Sequence, residues 1–262
     1  MTPLRFAVVS SEASTREALG RFCAKLREVT ALEVEPVLLG AYSELLEGAL
    51  EGGFELTWAP PLVAIDLEDA GVGHAAVVVH RSARAGYYSA LFVRADSRVT
   101  KVEELDRARV AWVSPESASG YFVPRWHLRS MGVGLAQAFS DERHYGSHEA
   151  VTRAVLDGSA DVGATHVALD PLTGKLSSAP WLALGQPTSV RVILLVGPIP
   201  GDVIVIHASV DAAVRRQLVA ALVAMREDEA SRGLFEASQF DPVPDGHLDL
   251  LRRLSRYSET RA

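Results

Sequence analysis

The sequence predicts an α/β protein made of two Rossmann-like lobes, whose mixed, mostly parallel sheets are joined by a two-strand hinge. Three observations lead to this prediction. Apolar runs rich in branched residues alternate with helical patterns, which is typical of parallel sheets covered by helices. The alternation occurs twice, with similar residues in both halves of the chain. The length of 262 residues also allows either one large domain or two smaller ones, each with its own core.

The individual elements follow from the pattern in chain order. Near-continuous apolar runs predict strands at Phe6–Val9, Leu32–Leu38, Leu56–Trp58, Ala75–His80, Ser89–Arg94, Val110–Val113, Val162–Thr165, Arg191–Val196 and Val203–His207. Apolar residues at helical spacing predict helices at Ser14–Glu28, Tyr42–Leu50, Pro60–Ala70, Gly120–Met131, Ser147–Leu156 and Asp211–Glu227. The last segment, "PDGHLDLLRRLSRYSE", predicts a terminal helix packed on the body of the protein.

The two halves of the chain also resemble each other residue by residue. "RFAVVS", from Arg5, and "RVAWVS", from Arg109, lie 104 positions apart. "YSELLEGALEGGFELTWAP", from Tyr42, aligns without gaps on "HEAVTRAVLDGSADVGATH", from His148, at an offset of 106. We interpret this similarity as two structurally alike lobes. The alternative is the general likeness of βαβ units, which share one chirality and layout.

The lobes predict a ligand cleft. We expect the chain to cross between them near Gly86–Tyr88 and near Val196–Pro200. Lobe one is then discontinuous, residues 1–86 with 197–262, and lobe two is the insertion 87–196. Since α/β sheets bind ligands beyond the carboxyl ends of their strands, the cleft would lie between the lobes. A hinge motion would close it over a ligand.

The segment "VSPESASGYF" joins the strand Val110–Val113 to the next helix and contains an unusual density of serine. A helix N-terminus has backbone N–H groups without intrahelical partners and a partial positive charge. Small residues and glycine let an anion approach those groups, and hydroxyls add donors. Ser117–Gly120, which we call the serine turn, is therefore predicted to hold an oxyanion without Lys or Arg. The alternative is ordinary capping, because serine is a favoured N-cap residue.

Several segments together resemble a known family. "YYSALFVRADSRVTKVEEL", "RVAWVSPESASGYFVPRWHLRSMGV" and "YGSHEAVTRAVLDGSADVGAT" are similar to the second lobe of the substrate-binding proteins of phosphonate- and phosphite-type ABC transporters. "AYSELLEGALEGGFELTWAPP" resembles their first lobe. The resemblance covers most of residues 30–210 and implies the type 2 periplasmic-binding-protein fold. It implies binding of phosphonate, phosphite, phosphate or a phosphate ester in the interlobe cleft.

The resemblance also implies which residues hold the ligand. The oxyanion contacts would come from hydroxyls and backbone amides of Ser117, Ala118, Ser119, Gly120 and Tyr121. Tyr42, Tyr88 and His148 would close the cleft. The alternatives are an aromatic residue packing at a helix start for Tyr42, a hinge-strand core residue for Tyr88 and a surface histidine at a helix start for His148. Trp58 and Thr165 lie at the ends of matching strands and would floor the cleft, with a core position as the alternative for Trp58.

Other classes of function lack support in the sequence. The net charge of −7, without a basic run, argues against nucleic acid as a partner. Cys23 is the only cysteine, so we expect a buried core residue and no disulfide. Histidine spacing fits no metal motif, and P-loop, GxGxxG and GxSxG patterns are absent. We therefore predict no metal, no cofactor and no catalytic residue.

The sequence shows no run approaching the ~18 apolar residues that a membrane span needs, and no visible leader. We therefore expect a cytoplasmic protein as the chain is written, or a periplasmic one if a leader was removed. The partner would be an ABC permease or a sensor or regulator protein, and we expect a monomer. Two other functions stay open: a cytoplasmic enzyme of the same fold acting on a small carboxylate or phosphate metabolite, with His148 as acid or base, and a ligand-free protein-contact module.

Overall fold

The computed structural model describes residues 2–10, 13–80, 86–226, 228–235 and 239–256. Contacts divide the chain into two compact units: Met1–Ala85 with Pro200–Arg252, and Gly86–Ile199 with Arg253–Ala262. The part of the predicted terminal helix that follows residue 256 lies outside the described residues. The same is true of Glu227, the last residue of the predicted helix Asp211–Glu227. No helix in the described ranges is long and apolar enough to cross a membrane.

Strands and helices alternate along most of the chain. The strands are β1 (Leu4–Val9), β2 (Val34–Leu39), β3 (Leu56–Ala59), β4 (Gly73–His80), β5 (Tyr87–Arg94), β6 (Ala108–Trp112), β7 (Phe139–His144), β8 (Val162–Leu169), β9 (Leu176–Ser178), β10 (Val190–Ile199), β11 (Val203–His207) and β12 (Gln239–Pro242). The helices are α1 (Ala13–Thr30), α2 (Tyr42–Leu50), α3 (Pro61–Asp69), α4 (Val123–Ser130), α5 (Leu135–Ala138), α6 (His148–Leu156), α7 (Pro180–Ala183), α8 (Ala212–Ala224), α9 (Glu229–Phe235) and α10 (Asp249–Arg256). A 3₁₀ turn (Val102–Glu104) and a π-helical turn (Ala118–Phe122) also occur.

The first unit is built on a sheet with the strand order β12-β4-β11-β3-β1-β2. Helix α1 buries Leu19, Phe22, Cys23 and Leu26, which recur at the spacing that places side chains on one helix face. They join a core cluster that includes Phe6 of β1. Cys23 is fully buried, so it is a core residue as predicted, and burial raises the pKa of its thiol to about 12.

The second unit is built on a sheet with the order β10-β5-β8-β6-β7, and β9 pairs with β8. Its order repeats that of the first unit: a parallel trio β7-β6-β8 is followed by the antiparallel strand β5, as the trio β2-β1-β3 is followed by β11. One of its core clusters contains Trp112, Leu91, Val110, Leu128 and Val162. The predicted similarity of the two halves is therefore present in their topology.

The α/β fold class is confirmed, and both sheets are mixed. The expectation that they are mostly parallel is wrong, because antiparallel pairs outnumber parallel pairs among the described strands. The excess arises partly where the chain leaves and re-enters a unit, since β4 pairs with β11 in the first unit and β5 with β10 in the second. Strand β7 was not predicted because its sequence, "FSDERH", is polar, as suits an exposed sheet edge.

An arginine fastens the beginning of the parallel trio in each unit. Arg5 donates to the Glu55 carboxylate at 2.9 and 3.1 Å and to the Gly52 carbonyl at 3.0 Å. Arg109 donates to the Asp161 carboxylate at 2.6 and 3.0 Å and to the Gly158 carbonyl at 2.9 Å. The hydrogen bond from Arg109 is the main reason that the pKa of Asp161 is lowered. The repeated residues thus encode a repeated structural contact.

Candidate functional site

The serine turn lies directly after β6, where the chain enters α4. The predicted helix Gly120–Met131 starts as the π-helical turn Ala118–Phe122 before it continues as α4. Ser117 is the N-cap residue, and its hydroxyl oxygen accepts a hydrogen bond from the Gly120 N–H at 3.0 Å. Capping, the alternative considered for the serines, is thus one role of Ser117, and its hydroxyl hydrogen is still available to a further acceptor.

Every carbonyl of the serine turn has a hydrogen-bond donor. Phe122 N–H donates to the Ser117 carbonyl at 3.0 Å, and Val123 N–H donates to Ala118. The Ser89 hydroxyl donates to the Ser119 carbonyl at 2.7 Å. The Val113 N–H donates to the Gly120 carbonyl at 3.1 Å. The negative ends of these peptide dipoles are therefore already satisfied.

Several donors of the same turn have no acceptor. Within the part of the chain that the structure describes, no hydrogen bond uses the amides of Ala118 and Ser119 or the Ser119 hydroxyl. The turn is nevertheless buried, with Ser119 only 2% exposed. Because unpaired buried N–H groups are rare and costly, this surplus of donors is suited to an oxyanion.

Gly120 is required by packing. A Cβ atom at this position would lie 2.3 Å from Cγ2 of Val113, far inside the contact distance of two carbons. The Gly120 amide is also committed to the Ser117 hydroxyl oxygen. The structure therefore gives Gly120 a role in closing the turn against β6, in addition to the predicted place near the ligand.

His148 is the first residue of α6, and its orientation is fixed by β8. Its Nδ1 lies 2.9 Å from Oγ1 of Thr165, whose side chain is fully buried. When the threonine hydroxyl donates to Nδ1, the proton of neutral His148 resides on Nε2, which then acts as a donor. The His166 ring meets the His148 ring edge-to-face, with ring centroids 4.4 Å apart.

The backbone around Val113 connects the serine turn to the segment before His148. The Val113 N–H donates to Gly120, while its carbonyl accepts from the Gly146 N–H at 2.9 Å. Ser147 then caps α6 by accepting from the Ala150 N–H at 3.1 Å. The serine turn and the start of α6 are therefore attached to the same end of β6, so the second unit brings these predicted site residues into one region.

A buried cationic side chain lies behind the serine turn. Arg125, 9% exposed, is hydrogen-bonded to the Glu142 carboxylate, which also accepts from Trp112 Nε1 at 2.8 Å. The guanidinium carbon lies 4.9 Å from the ring centroid of Tyr121 and 5.6 Å from that of Trp112. The Tyr121 side chain is thus engaged in packing against Arg125 and Trp112.

The remaining predicted residues are placed differently. Trp58 is 8% exposed and belongs to the aromatic core of the first unit, with its ring 6.2 Å from that of Phe235. Tyr42 begins α2 and packs partly against the same core. Tyr88 lies in β5 of the second unit, and its ring covers Gly197, where a Cβ would be 2.7 Å from Cδ1 of Tyr88.

Sequence reasoning missed Ser89, His166 and Arg125. Ser89 had a signal, because a serine interrupts the apolar strand "YYSALFVR". His166 directly follows the predicted residue Thr165, so its proximity to His148 could have been considered. Arg125 had no such signal, since a single arginine in a helix is usually exposed. No cluster of His, Cys, Asp or Glu suited to a metal ion occurs among the described residues.

Comparison with known proteins places this chain in a family. A family model for the periplasmic substrate-binding proteins of phosphonate ABC transporters matches residues 6–248. A binding-protein component of an ABC phosphonate transporter from Pseudomonas aeruginosa has a TM-score of 0.81 at 20% identity, covering 97% of this chain and 86% of that chain. PhnD1 from Prochlorococcus marinus, solved with methylphosphonate, has a TM-score of 0.79 at 14% identity, covering 97% of both chains.

A protein from Xanthomonas citri solved with ATP has a TM-score of 0.75 at 20% identity, covering 99% of this chain and 100% of that chain. At these identities the structural matches establish the fold, which is that of the periplasmic binding proteins, as predicted. The family match extends over most of the chain and confirms the resemblance noted in its sequence. The chain therefore belongs to the family of periplasmic substrate-binding proteins of phosphonate ABC transporters.

Proposed function

We propose that this protein binds a small phosphorus oxyanion on the serine turn and delivers it to the permease of an ABC transporter. The observation that carries the proposal is the surplus of donors at the turn: its carbonyls are satisfied, while the amides of Ala118 and Ser119 and the Ser119 hydroxyl have no acceptor among the described residues. An anion with several oxygens satisfies such a set of donors. Phosphonate, phosphite, phosphate and phosphate esters have this chemistry.

Individual residues receive distinct roles in the proposal. The amides of Ala118 and Ser119 and the Ser119 hydroxyl hold the oxyanion, and the Tyr121 amide stays a predicted further donor. Ser117 closes the turn while offering its own hydroxyl hydrogen. His148 contributes Nε2 because its Nδ1 faces Thr165. Tyr42 and Tyr88 stay predicted covering donors, and Trp58 is assigned to the core instead of the ligand.

The family and one structural neighbour support the ligand class. The family binds substrates of phosphonate transporters, and PhnD1, the neighbour from Prochlorococcus marinus, was solved with methylphosphonate. Membership of a transport family also favours a non-catalytic role over the enzyme alternative. We therefore propose that the ligand is released unchanged, so that its phosphorus NMR spectrum stays the same during prolonged incubation with the protein.

Thermal unfolding in the presence of candidate ligands tests the proposal. Methylphosphonate, phosphite, phosphate and sulfate would be compared at matched ionic strength. A ligand at a hundred times its Kd adds about 2.7 kcal/mol to the free energy of unfolding, which raises the midpoint visibly. We expect a rise with at least one phosphorus oxyanion. If none of the phosphorus oxyanions raised the midpoint, the proposed ligand class would be refuted.

A substitution at Ser119 tests whether the ligand binds at the serine turn. Ser119→Ala removes one hydroxyl donor to a charged group and is expected to weaken binding by about 1.5–3 kcal/mol. Ser140→Ala is the matched control, because it removes a hydroxyl from β7 of the same unit that donates to the Arg107 carbonyl. Equal affinities of the two variants would show that the ligand binds elsewhere.

A further inference from the structure

We propose that Ser89 is a positioning residue of the oxyanion site, which it serves by holding the Ser119 carbonyl away from the ligand. This inference rests on the proposed function and deepens it. Ser89 lies in β5, and its side chain is fully buried. Its hydroxyl donates to the Ser119 carbonyl at 2.7 Å, across 30 positions of sequence.

This hydrogen bond differs from the others made by carbonyls of the turn, because its donor is a side chain. The carbonyls of Ser117, Ala118 and Gly120 accept from backbone amides, so helical and strand geometry alone satisfies them. The Ser119 carbonyl instead depends on a side chain. Loss of that hydroxyl would leave a buried carbonyl without its donor, which is an unfavourable state that the backbone can relieve by rotating.

Rotation of this peptide would affect the site directly. The Ser119–Gly120 peptide is held at both ends, since Ser89 binds its carbonyl and Ser117 accepts from its N–H at 3.0 Å. Ser119 also contributes an amide and a hydroxyl to the donor set. A carbonyl turned towards those donors would place a partial negative charge beside the anion, and it would compete with the anion for the same N–H groups.

Ser89 also joins the two parts of the site in the second unit. Its backbone pairs with His166, and its neighbour Ala90 pairs with Thr165. Thr165 in turn orients His148. The side chain of Ser89 therefore fixes the serine turn, while its strand fixes the position of the threonine that holds the histidine. A purely space-filling residue at position 89 would preserve only the second of these contacts.

The test compares Ser89→Ala with Ser231→Ala. Ser231 is also fully buried, and its hydroxyl donates to the Met225 carbonyl at 2.9 Å in the first unit. The two variants thus lose the same type of buried hydrogen bond. We expect similar decreases in the thermal midpoint, but only Ser89→Ala should raise the Kd for methylphosphonate, phosphite or phosphate, by about tenfold. Ser89→Cys, which keeps a weak donor, should lose less affinity.

Amide hydrogen exchange of the ligand-free protein provides a second measurement. Ser89→Ala should accelerate exchange of the Gly120, Phe122 and Val123 amides, which are hydrogen-bonded within the turn, by about tenfold relative to Ser231→Ala. Unchanged exchange together with unchanged affinity would overturn the inference. If the unsubstituted protein bound none of the three anions, the proposed function would fail and the ligand-directed role of Ser89 with it. Exchange would then report separately whether Ser89 holds the turn.

Discussion

The ion pair of Arg125 and Glu142 predicts that losing the glutamate destabilises the protein more than losing the arginine, because the two side chains are unequally buried. The Arg125 side chain is 11% exposed, whereas that of Glu142 is 34% exposed. Removing the carboxylate would strand a guanidinium that water reaches poorly. Removing the arginine would leave a carboxylate that water can hydrate. The two single substitutions should therefore differ greatly in cost, although each breaks the same ion pair.

The magnitudes follow from the contacts. Glu142→Ala removes the anion that faces Arg125 and the acceptor of Trp112 Nε1, and breaking a buried pair in this way costs about 3 kcal/mol or more. Arg125→Met loses cation–π contacts worth about 0.5–1 kcal/mol each, while methionine retains the apolar stem. We expect a total of about 1–2 kcal/mol for Arg125→Met.

The double variant separates a stranded charge from general damage. Combining Arg125→Met with Glu142→Ala removes both charges, so it should be more stable than Glu142→Ala alone by about 1 kcal/mol. Urea unfolding followed by tryptophan fluorescence would give the three free energies. The exposed pair of Arg153 and Glu149 is the control, and its loss should cost less than about 1 kcal/mol.

Either of two results would refute the role assigned to this ion pair. Equal costs for Arg125→Met and Glu142→Ala would mean that burial does not decide the asymmetry. Strict additivity in the double variant would mean that no stranded charge contributes to the loss. In both cases Glu142 would not be the group that balances a cation buried behind the serine turn.

Two further predictions concern the acid stability of the second unit and the orientation of His148. The pKa of Asp161 is lowered, chiefly by its hydrogen bond with Arg109. The stability that this pair contributes is therefore fully present above 3.8, the ordinary pKa of the carboxyl. It is lost as the pH falls through the lower pKa of the folded state. Arg109→Gln should weaken this acid dependence of the unfolding midpoint, and a variant that keeps all of it would contradict the assignment. Thr165→Val removes the hydroxyl beside Nδ1 of His148 and should weaken oxyanion binding about three- to tenfold, as measured by calorimetry. Thr30→Val, which breaks a buried threonine–carbonyl bond in the first unit, should leave affinity unchanged, and equal losses in both variants would argue against a role for Thr165 at the site.

Local pattern was sufficient for most of the fold. Helix α2 begins and ends where the apolar spacing predicts, at Tyr42 and Leu50. The offset between Arg5 and Arg109 predicted two similar halves, and the structure gives both arginines the same carboxylate and carbonyl contacts. These features depend on residues close in sequence or on a repeat visible in it. Polar edge strands such as β7 escaped prediction because an exposed edge carries no apolar signature.

The candidate site was predictable where it consists of one continuous segment. Three hydroxyls and a glycine before a helix indicated an anion-binding turn, and the structure supplies the donors at that place. Residues that act from other elements were harder to assign. His166 contacts His148 of α6, and Ser89 donates a hydrogen bond to the serine turn. Neither contact follows from a local motif.

The sequence by itself determined the α/β class, the duplicated layout and the turn at which an oxyanion is proposed to bind, because periodicity and serine clustering are local properties. Tertiary structure alone decided the balance of parallel and antiparallel pairs, the burial of Trp58 in a core and the engagement of the Ser119 carbonyl by Ser89. The physical reason is that hydrogen bonds between distant strands and turns depend on which segments the fold makes neighbours. A donor is available to a ligand only if the fold provides no acceptor for it within the protein.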